Sequence, residues 1–340
     1  MSSERPRATR PRLAPFELAY RIRRHCVLMT SRANASHIGS SLSMADLLGV
    51  LYGGGADEDG RSLNPDGSLN QDEGPNPHEG PNSDEGLNPD GRGQAPPLHA
   101  EEGSFRPFLR YDPANPAWPE RDRFILSKGH GCAALYAVLA ECGYFPVERL
   151  DTFYEDGSPL AGHATHKEMP GVEVSTGSLG HGLSLATGMA LATKRDGRAE
   201  RFWVMVSDGE CDEGSTWEAA LFAPQHRLDN LAVIVDYNKI QSLGRVEEVI
   251  DLHPLAAKWR AFNWGVREID GHDLAAIDEA YAAVPFEAGR PSCIVAHTVK
   301  GKGVSYMEDK LLYHYRAPRG EDLDRALAEL DAAHVAGHSR

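Results

Sequence analysis

The stretch "FWVMVSDGECDEGSTWEAALFAPQ", residues 202–225, passes from an apolar run through an acidic turn into a pattern typical of a helix. Two further apolar runs with β-branched residues follow, "NLAVIVDYN" at 230–238 and "PSCIVAHTV" at 291–299. Near-continuous apolar runs are typical of strands that are buried on both faces of a parallel sheet. Strands separated by helical patterns predict an α/β fold in which helices cover both faces of the sheet.

The flanking sequence supplies the helices and an earlier strand. Three segments show helical patterns: "MADLLGVLY" at 44–52, "GCAALYAVLAECGYF" at 131–145 and "GHGLSLATGMALATKR" at 180–195. The segment "RDRFILSKGH" at 121–130 indicates a strand that runs into a turn. Pro224 lies inside the helical pattern after the acidic turn, and it is predicted to kink or end that helix because proline lacks a backbone donor.

Composition excludes several classes of function. With 340 residues, 41% of them apolar, the chain can bury a sizeable core, and the length allows one large α/β domain or two smaller ones. A net charge of -15 argues against non-specific binding to nucleic acid, whose phosphates repel an acidic surface. No apolar run approaches the ~20 residues of a membrane span, so no membrane association is expected.

The cysteines and the N-terminus bear on location. The five cysteines are odd in number and scattered without metal-ligand spacing, which is typical of reduced thiols in a cytoplasmic protein. Residues 1–15 are basic but no apolar segment follows them, so we expect a flexible tail rather than a secretory signal, with a helix starting near Phe16.

Residues 54–108 form a low-complexity acidic insertion. A six-residue repeat begins at 63, 69, 75, 81 and 87, and large apolar residues are almost absent. Such a composition cannot offset its ordering entropy by burial, so the insertion is expected to be disordered. A simple solvated insertion is the favoured interpretation. A weak cation-binding or partner-binding arm is the alternative.

Polar residues gather where the apolar strands end. Asp208 ends one run and Asn238 ends the next, and the carboxyl ends of parallel strands form the ligand-binding edge of such a sheet. Carboxylate and amide oxygens suit Mg²⁺ or Ca²⁺, and Mg²⁺ often completes its shell with phosphates and water. The pair therefore predicts a metal-bound diphosphate, with Gly209 allowing close backbone approach. As a pattern alone, two unrelated turn residues remain an alternative.

The surrounding sequence is specific. The stretch "DGECDEGSTWEAALFAPQHRLDNLAVIVDYNKIQSLG" at 208–244 resembles, nearly position by position, the thiamine-diphosphate signature of transketolases. Further segments share the resemblance: "ANASHIGSSLSMADLLGVLY", "WPERDRFILSKGHGCAALYAVLAECGY", "GHATHKEMPGVEVSTGSLGHGLSLATGMALA", "WRAFNWGVREIDGHD" and "VKGKGVSYMEDKLLYHYRAP". Apart from the insertion, the resemblance covers about 16–320, which predicts one diphosphate-binding domain followed by a C-terminal helix or tail at 321–340.

The resemblance is to one half of a transketolase. It implies the thiamine-diphosphate-binding fold, the cofactors thiamine diphosphate and Mg²⁺ (or Ca²⁺), and sugar-phosphate substrates. It also implies the N-terminal subunit of a split enzyme, which pairs with a C-terminal, pyrimidine-binding chain and self-associates into a heterotetramer. In this family a glutamate of that other half assists deprotonation of the cofactor, so the chain alone is predicted to be inactive.

The resemblance implies a role for each residue of the metal and diphosphate site. It implies Asp208, Asn238 and the Ile240 carbonyl as metal ligands, with Asn238 also at the cofactor. Gly209 would lie against the diphosphate, and Glu210 would matter through its backbone nearby.

Other matched positions concern the pyrimidine and the partner. Gly177 and Leu179 in "STGSLGHG" match backbone positions that face the pyrimidine. Glu213 matches an acidic residue in a carboxylate network between the two active sites of the dimer.

Four histidines match active-site positions of the family. His130 in "SKGHG" would reach the diphosphate, and His37, His163 and His314 would line the substrate channel and relay protons. His181 stands where the family more often has Gln, so a position near the cofactor remains open. Nine other histidines are expected to be surface or core residues satisfied locally: His78, His99, His166, His226, His253, His272, His297, His334 and His338.

Three other functions remain alternatives. The same cofactor chemistry could serve acyloin or modified-sugar synthesis in a specialised pathway. A non-catalytic regulatory paralogue is disfavoured because the site residues are all present. The alpha chain of a 2-oxoacid dehydrogenase shares the cofactor motif, but "VSTGSLGHGLS" and "KGHG" fit transketolase better.

Overall fold

Five parallel strands form the sheet of the computed structural model, which describes residues 13–53 and 108–337. The strand order is β1-β2-β3-β5-β4, and every neighbouring pair is parallel. Their bounds are β1 Arg123–Leu126, β2 Phe202–Ser207, β3 Leu231–Tyr237, β4 Gly265–Asp270 and β5 Ser292–His297. The predicted α/β fold is confirmed.

Helices pack on both faces of this sheet. Within the described residues the α-helices are α1 Pro15–Ala33, α2 Ile38–Ser43, α3 Ala45–Tyr52, α4 Cys132–Glu141, α5 His181–Arg195, α6 Gly214–Gln225, α7 Val246–Val249, α8 Leu255–Ala261, α9 Leu274–Ala282, α10 Leu312–Tyr315 and α11 Glu321–Gly337. Short 3-10 helices span Gly129–Gly131, Val147–Thr152 and Gly209–Asp212.

The two faces of the sheet supply two separate hydrophobic cores. Trp203 and Met205 of β2 point into a core built with α1, α3, α4 and α9. Their neighbours Val204 and Val206 point to the opposite core, which α5, α6 and α8 cover. Because successive strand side chains alternate between faces, burial on both sides requires the continuous apolar run seen in the sequence.

Two local expectations met different outcomes, and one strand was missed. The helix predicted at 131–145 is too long, since α4 ends at Glu141 and Gly143 adopts a φ of 89° that a helix cannot continue. Pro224 behaves as predicted, because α6 ends at Gln225, directly after it. The sequence pattern does not predict strand β4, because its residues after Gly265 are partly buried or exposed and form no apolar run.

Some predicted segments lie partly or wholly outside the described residues. These are 1–12 of the expected tail, 54–107 of the insertion with its whole repeat, and 338–340. The helix expected near Phe16 begins at Pro15. Among residues 13–53 and 108–337, no helix combines the length and apolar character needed to cross a membrane.

Candidate functional site

The carboxyl ends of β2 and β3 bring the predicted metal ligands to one edge. Ser207 at the end of β2 pairs with Asp236 of β3, so Asp208 and Asn238 both lie just beyond the paired ends. The Asp208 carboxylate accepts hydrogen bonds from the backbone N–H of Gly209 at 2.7 Å and of Lys239 at 2.6 Å. The two turns are therefore joined through Asp208.

The donor atoms at this edge fit a diphosphate-bound magnesium ion. Asp208 is 2% exposed, and burial together with the nearby Asp236 charge raises its pKa to about 6. The charge of Lys300 offsets this rise only in part, and Asp208 forms no ion pair within the described residues. The Asn238 Oδ1 atom and the Ile240 carbonyl are neutral oxygen donors in the turn after β3. Asn238 Oδ1 accepts from the Ile240 N–H at 3.2 Å, and the Ile240 carbonyl accepts from Lys300 Nζ at 2.7 Å. One carboxylate with neutral oxygens suits Mg²⁺ that takes its remaining ligands from phosphate and water.

No richer metal centre competes with this set within the part of the chain that the structure describes. No group of three or more His, Cys, Asp or Glu side chains there could hold a metal ion. The ligand roles of Asp208, Asn238 and Ile240 stay predictions.

Four histidine rings from four separate segments meet beside this edge. The His37 ring centroid lies 5.2 Å from that of His130, 5.8 Å from His163 and 4.9 Å from His314. His130 and His314 are 6.3 Å apart. His314 is buried, His37 and His130 are half-buried, and His163 is exposed. We call these four residues the histidine cluster.

Three of the four rings, those of His37, His130 and His314, are held in the neutral form. Burial is the largest cause of a lowered pKa for His37, to about 4, and for His314, to about 3. The pKa of His130 is also well below its ordinary value, because of burial and the charge of Lys128. Neutral imidazole can both donate and accept hydrogen bonds, which suits the handling of sugar hydroxyls.

Two buried lysines beneath the cluster were missed by the sequence reasoning. Lys128 and Asp236 form an ion pair with no exposed side-chain surface. Lys300 is 2% exposed, and burial lowers its pKa to about 8. One signal was available, because a carboxylate within the apolar run "LAVIVDY" needs a buried partner.

Asp236 is the centre of a larger network. Burial alone would raise its pKa, but the Lys128 charge and hydrogen bonds from Ser43 and Thr298 outweigh burial and lower it. Asn238 Nδ2 lies 3.5 Å from the same carboxylate. The network therefore connects α2, the turn after β1 and the ends of β3 and β5.

The loop with the predicted pyrimidine-facing positions packs tightly on the cluster. Gly177 has a φ of 149°, and a Cβ atom there would lie 2.9 Å from the His163 ring. A Cβ at Gly129 would lie 2.5 Å from the Thr176 carbonyl carbon. Leu179 is half-buried in the same loop. Only glycine fits at these two close approaches.

Glu210 acts through its side chain as well as its position. It is completely buried, and its carboxylate accepts hydrogen bonds from the Gly180 N–H at 2.8 Å, the Ser207 N–H at 3.4 Å and the Ser127 hydroxyl. The side chain thus ties together the turn after β1, the loop before α5 and the turn after β2. The sequence-based expectation concerns only its backbone.

Glu213 and His181 lie at the surface. Glu213 precedes the first residue of α6 and is exposed, and a Cβ at Gly180 would lie 2.8 Å from the Glu213 Cβ. His181 is the first residue of α5 and is exposed. The structure does not bring either side chain into the histidine cluster.

His272 is satisfied locally, as expected. Its Nδ1 atom lies 2.8 Å from Asp46, and its Nε2 atom accepts from the Val299 N–H at 2.9 Å. Asp46 also binds Arg23 through both oxygens, so this histidine belongs to a structural ion-pair group.

A parallel sheet covered by helices on both faces, with a carboxylate and neutral oxygen donors at its carboxyl edge, is typical of α/β cofactor-binding proteins. The family model described as "Transketolase, thiamine diphosphate binding domain" matches residues 98–330. The chain belongs to the transketolase family, as the part that binds thiamine diphosphate. Transketolases are thiamine-diphosphate-dependent transferases, and a 2-oxoacid dehydrogenase chain is not favoured.

Three known proteins illustrate the similarity. The chain is 48% identical to the 6-deoxy-6-sulfo-D-fructose transketolase subunit of a Clostridium species, over 66% of this chain and 82% of that protein. It is 42% identical to an apulose-4-phosphate transketolase subunit of Actinobacillus succinogenes, over 65% of this chain and 80% of that protein. A crystal structure of transketolase from Campylobacter jejuni matches with a TM-score of 0.72 and 26% identity, and the match covers 94% of this chain.

The extent of these matches differs between the two kinds of relative. The chain covers 43% of the Campylobacter jejuni transketolase, so it corresponds to less than half of that protein. It covers most of both relatives whose names contain the word subunit.

Proposed function

We propose that this protein is the N-terminal, thiamine-diphosphate-binding subunit of a transketolase that moves a two-carbon ketol unit from a ketose phosphate to an aldose acceptor. One observation carries the proposal: the oxygen donors of Asp208, Asn238 and Ile240 lie at the same sheet edge as the histidine cluster. The first group suits a metal-bound diphosphate, and the second suits the hydroxyls of a sugar.

The chain would contribute binding and proton handling. When bound, thiamine diphosphate supplies a carbon nucleophile and an electron sink for the two-carbon unit. Asp208, Asn238 and the Ile240 carbonyl would hold Mg²⁺, and Gly209 and His130 would lie against the diphosphate. His37, His163 and His314 would hydrogen-bond sugar hydroxyls and hold or pass protons at their ring nitrogens.

A separate partner chain is part of the proposal. The names of the Clostridium and Actinobacillus relatives describe subunits, which supports a separate partner chain. That chain would bind the pyrimidine and supply the glutamate that assists deprotonation of the cofactor. Residues 16–320, interrupted by the insertion at 54–108, would form one diphosphate-binding domain. The chain alone would be inactive.

Self-association would give a heterotetramer. Leu185 of α5 and Leu221 and Phe222 of α6 expose 47%, 65% and 43% of their surface. Glu213 lies exposed beside the start of α6, where the carboxylate network of a dimer would need it. We therefore place a second copy against α5 and α6, and L221E with F222E should convert the heterotetramer into a heterodimer on light scattering. An unchanged mass would contradict this placement.

Two further points stay predictions. The cytoplasmic location rests on the cysteines, all five of which are free in the structure. A purely regulatory role is not supported, because Asp208, Asn238, Glu213 and the histidine cluster are all retained.

The decisive experiment is reconstitution. The chain would be co-purified with a candidate C-terminal, pyrimidine-binding transketolase chain, then assayed with thiamine diphosphate, Mg²⁺ and a panel of ketose donors. The panel includes ketose phosphates and 6-deoxy-6-sulfofructose, the sugar in the Clostridium relative's name. Transfer from a ketose phosphate is expected, and transfer from the sulfonated sugar alone would overturn the substrate assignment.

Asp208→Ala tests the cofactor site directly. The variant should lose thiamine diphosphate binding by calorimetry, because the metal that anchors the diphosphate would lose its charged ligand. Asp212→Ala, in the same acidic turn, should bind as the unmodified chain does. Equal binding by both variants would contradict the metal site.

A further inference from the structure

Lys300 is a buried cation to which the proposed reaction gives no role. It follows β5 in the segment "VKGKG", and only 2% of its surface is exposed. Its Nζ atom lies 2.7 Å from the Ile240 carbonyl oxygen and 2.9 Å from the His314 Nδ1 atom. One ammonium group therefore touches both the predicted metal edge and the histidine cluster.

The path of the lysine side chain is fixed by its surroundings. A Cβ atom at Gly39 would lie 2.9 Å from the Lys300 Cγ, so the glycine leaves room for the lysine stem. The Gly301 N–H donates to the Gly39 carbonyl at 2.9 Å, which anchors the backbone beside Lys300. Because the stem is enclosed, the ammonium group stays beside His314.

An ammonium group differs from the other partners of the cluster because it can only donate. The Ser36 hydroxyl lies 3.0 Å from His37 Nδ1, and the Ser40 hydroxyl lies 3.1 Å from His130 Nε2. A hydroxyl donates or accepts, so these contacts leave both tautomers open to His37 and His130. Lys300 allows His314 only one role at Nδ1, that of acceptor.

We propose that Lys300 is a positioning residue that holds His314 in the tautomer with its proton on Nε2. His314 then meets a substrate oxygen as a hydrogen-bond donor and is not available there as a base. Within the described residues, His314 Nε2 has no hydrogen-bond partner, so its N–H is available to a ligand. The His314 ring lies edge-on to the His37 ring at 80°, inside the cluster that would receive the sugar. The catalytic part of this inference rests on the proposed function.

The tautomer can be measured on the full chain without cofactor or partner. Long-range ¹H–¹⁵N spectra of histidine-labelled protein report which ring nitrogen carries the proton, and His314→Gln identifies the signal. The Nε2–H form is expected, and Lys300→Met should produce a mixture of tautomers. Lys302→Met is the matched control, because Lys302 is partly exposed and pairs with Glu308 instead. An Nδ1–H form in the unmodified chain, or an unchanged spectrum in a folded Lys300→Met chain, would overturn the proposal.

The reconstituted complex supplies the catalytic test. Lys300→Met and His314→Gln should each lower kcat by about 100-fold, the loss typical of a removed donor to a developing charge. The double variant should lose no more than His314→Gln alone, because Lys300 acts through His314. Additive losses would overturn the positioning role. Absence of ketol transfer by the unmodified complex would instead refute the proposed function and leave the tautomer result standing.

Discussion

Lys128 and Asp236 form an ion pair that is completely buried beneath the histidine cluster. The ammonium group also donates to the Ser40 carbonyl at 3.1 Å, and the carboxylate accepts from the Ser43 hydroxyl at 2.6 Å. Each charge depends on the other, because neither is in contact with water. The ion pair and its hydrogen bonds therefore hold α2, the turn after β1 and the end of β3 together beneath the histidine cluster.

Removing the charge of one member of this pair should destabilise the fold more than removing both charges. Asp236→Asn leaves the Lys128 ammonium buried without a counter-charge, and the free energy of unfolding should fall by about 3–5 kcal/mol. Lys128→Met in the same chain removes the stranded charge, so the double variant should be more stable than the sum of the single losses predicts. Urea denaturation of the four proteins measures this coupling, and strictly additive losses would refute it.

Gly129→Ala should disturb the loop that faces the cofactor. Its Cβ would lie 2.5 Å from the Thr176 carbonyl carbon and 2.7 Å from the Gly177 nitrogen, so the backbone must shift. Overpacking of this kind destabilises by about 1–3 kcal/mol, and the shift should also weaken thiamine diphosphate binding in the complex.

A second glycine provides the control for this variant. Gly188 lies within α5, and a Cβ there would meet nothing within 4 Å. Gly188→Ala should therefore stabilise the chain by up to about 1 kcal/mol. Thermal unfolding that shifts equally for both variants would contradict the contact between Gly129 and Thr176.

Acid should destabilise the chain through the histidine cluster. In the unfolded chain a histidine has a pKa of about 6.5. In the folded chain the pKa is about 4 for His37 and about 3 for His314. The unfolded state therefore binds more protons below pH ~6.5, and stability present above that pH is lost as the pH falls toward these lower values.

The His37 share of this loss can be isolated. Between pH ~7.5 and ~5 it should be on the order of 1–2 kcal/mol, and His37→Gln should flatten the dependence of the unfolding free energy on pH. His166→Gln is the control, because that histidine is exposed and outside the cluster. Identical pH dependences for the two variants would show that His37 is not held neutral by the fold.

The fold was predictable because its signals are local. Strands β2, β3 and β5 are buried on both faces, so each reads as an apolar run, and polar residues begin where the strand ends. Strand β4 escaped prediction because residues such as Arg267 and Glu268 are partly buried or exposed, so the strand does not form an apolar run. The sequence of one segment does not show where in the sheet that strand will lie.

The site was less predictable, because its contacts join distant segments. His37 and His314 lie at opposite ends of the chain, and only the resemblance to a known family suggested that they belong together. The roles of Lys128, Lys300 and the Glu210 side chain depend on which atoms surround them after folding. Asp236, the partner of Lys128 in the buried network, did carry a sequence signal, as a carboxylate within an apolar strand.

Glu210→Gln should loosen the three segments that the carboxylate joins. Both carboxylate oxygens accept hydrogen bonds, from Gly180 and Ser207 N–H groups and from the Ser127 hydroxyl, and an amide replaces one acceptor by a donor. A buried donor without a partner costs about 1–3 kcal/mol, which sets the expected fall in the free energy of unfolding. Hydrogen exchange should show faster exchange at the Gly180 amide, because its acceptor is weakened. Glu218→Gln, on the exposed face of α6, should change neither quantity. An unchanged Gly180 exchange rate in Glu210→Gln would show that the loop before α5 is held by other contacts.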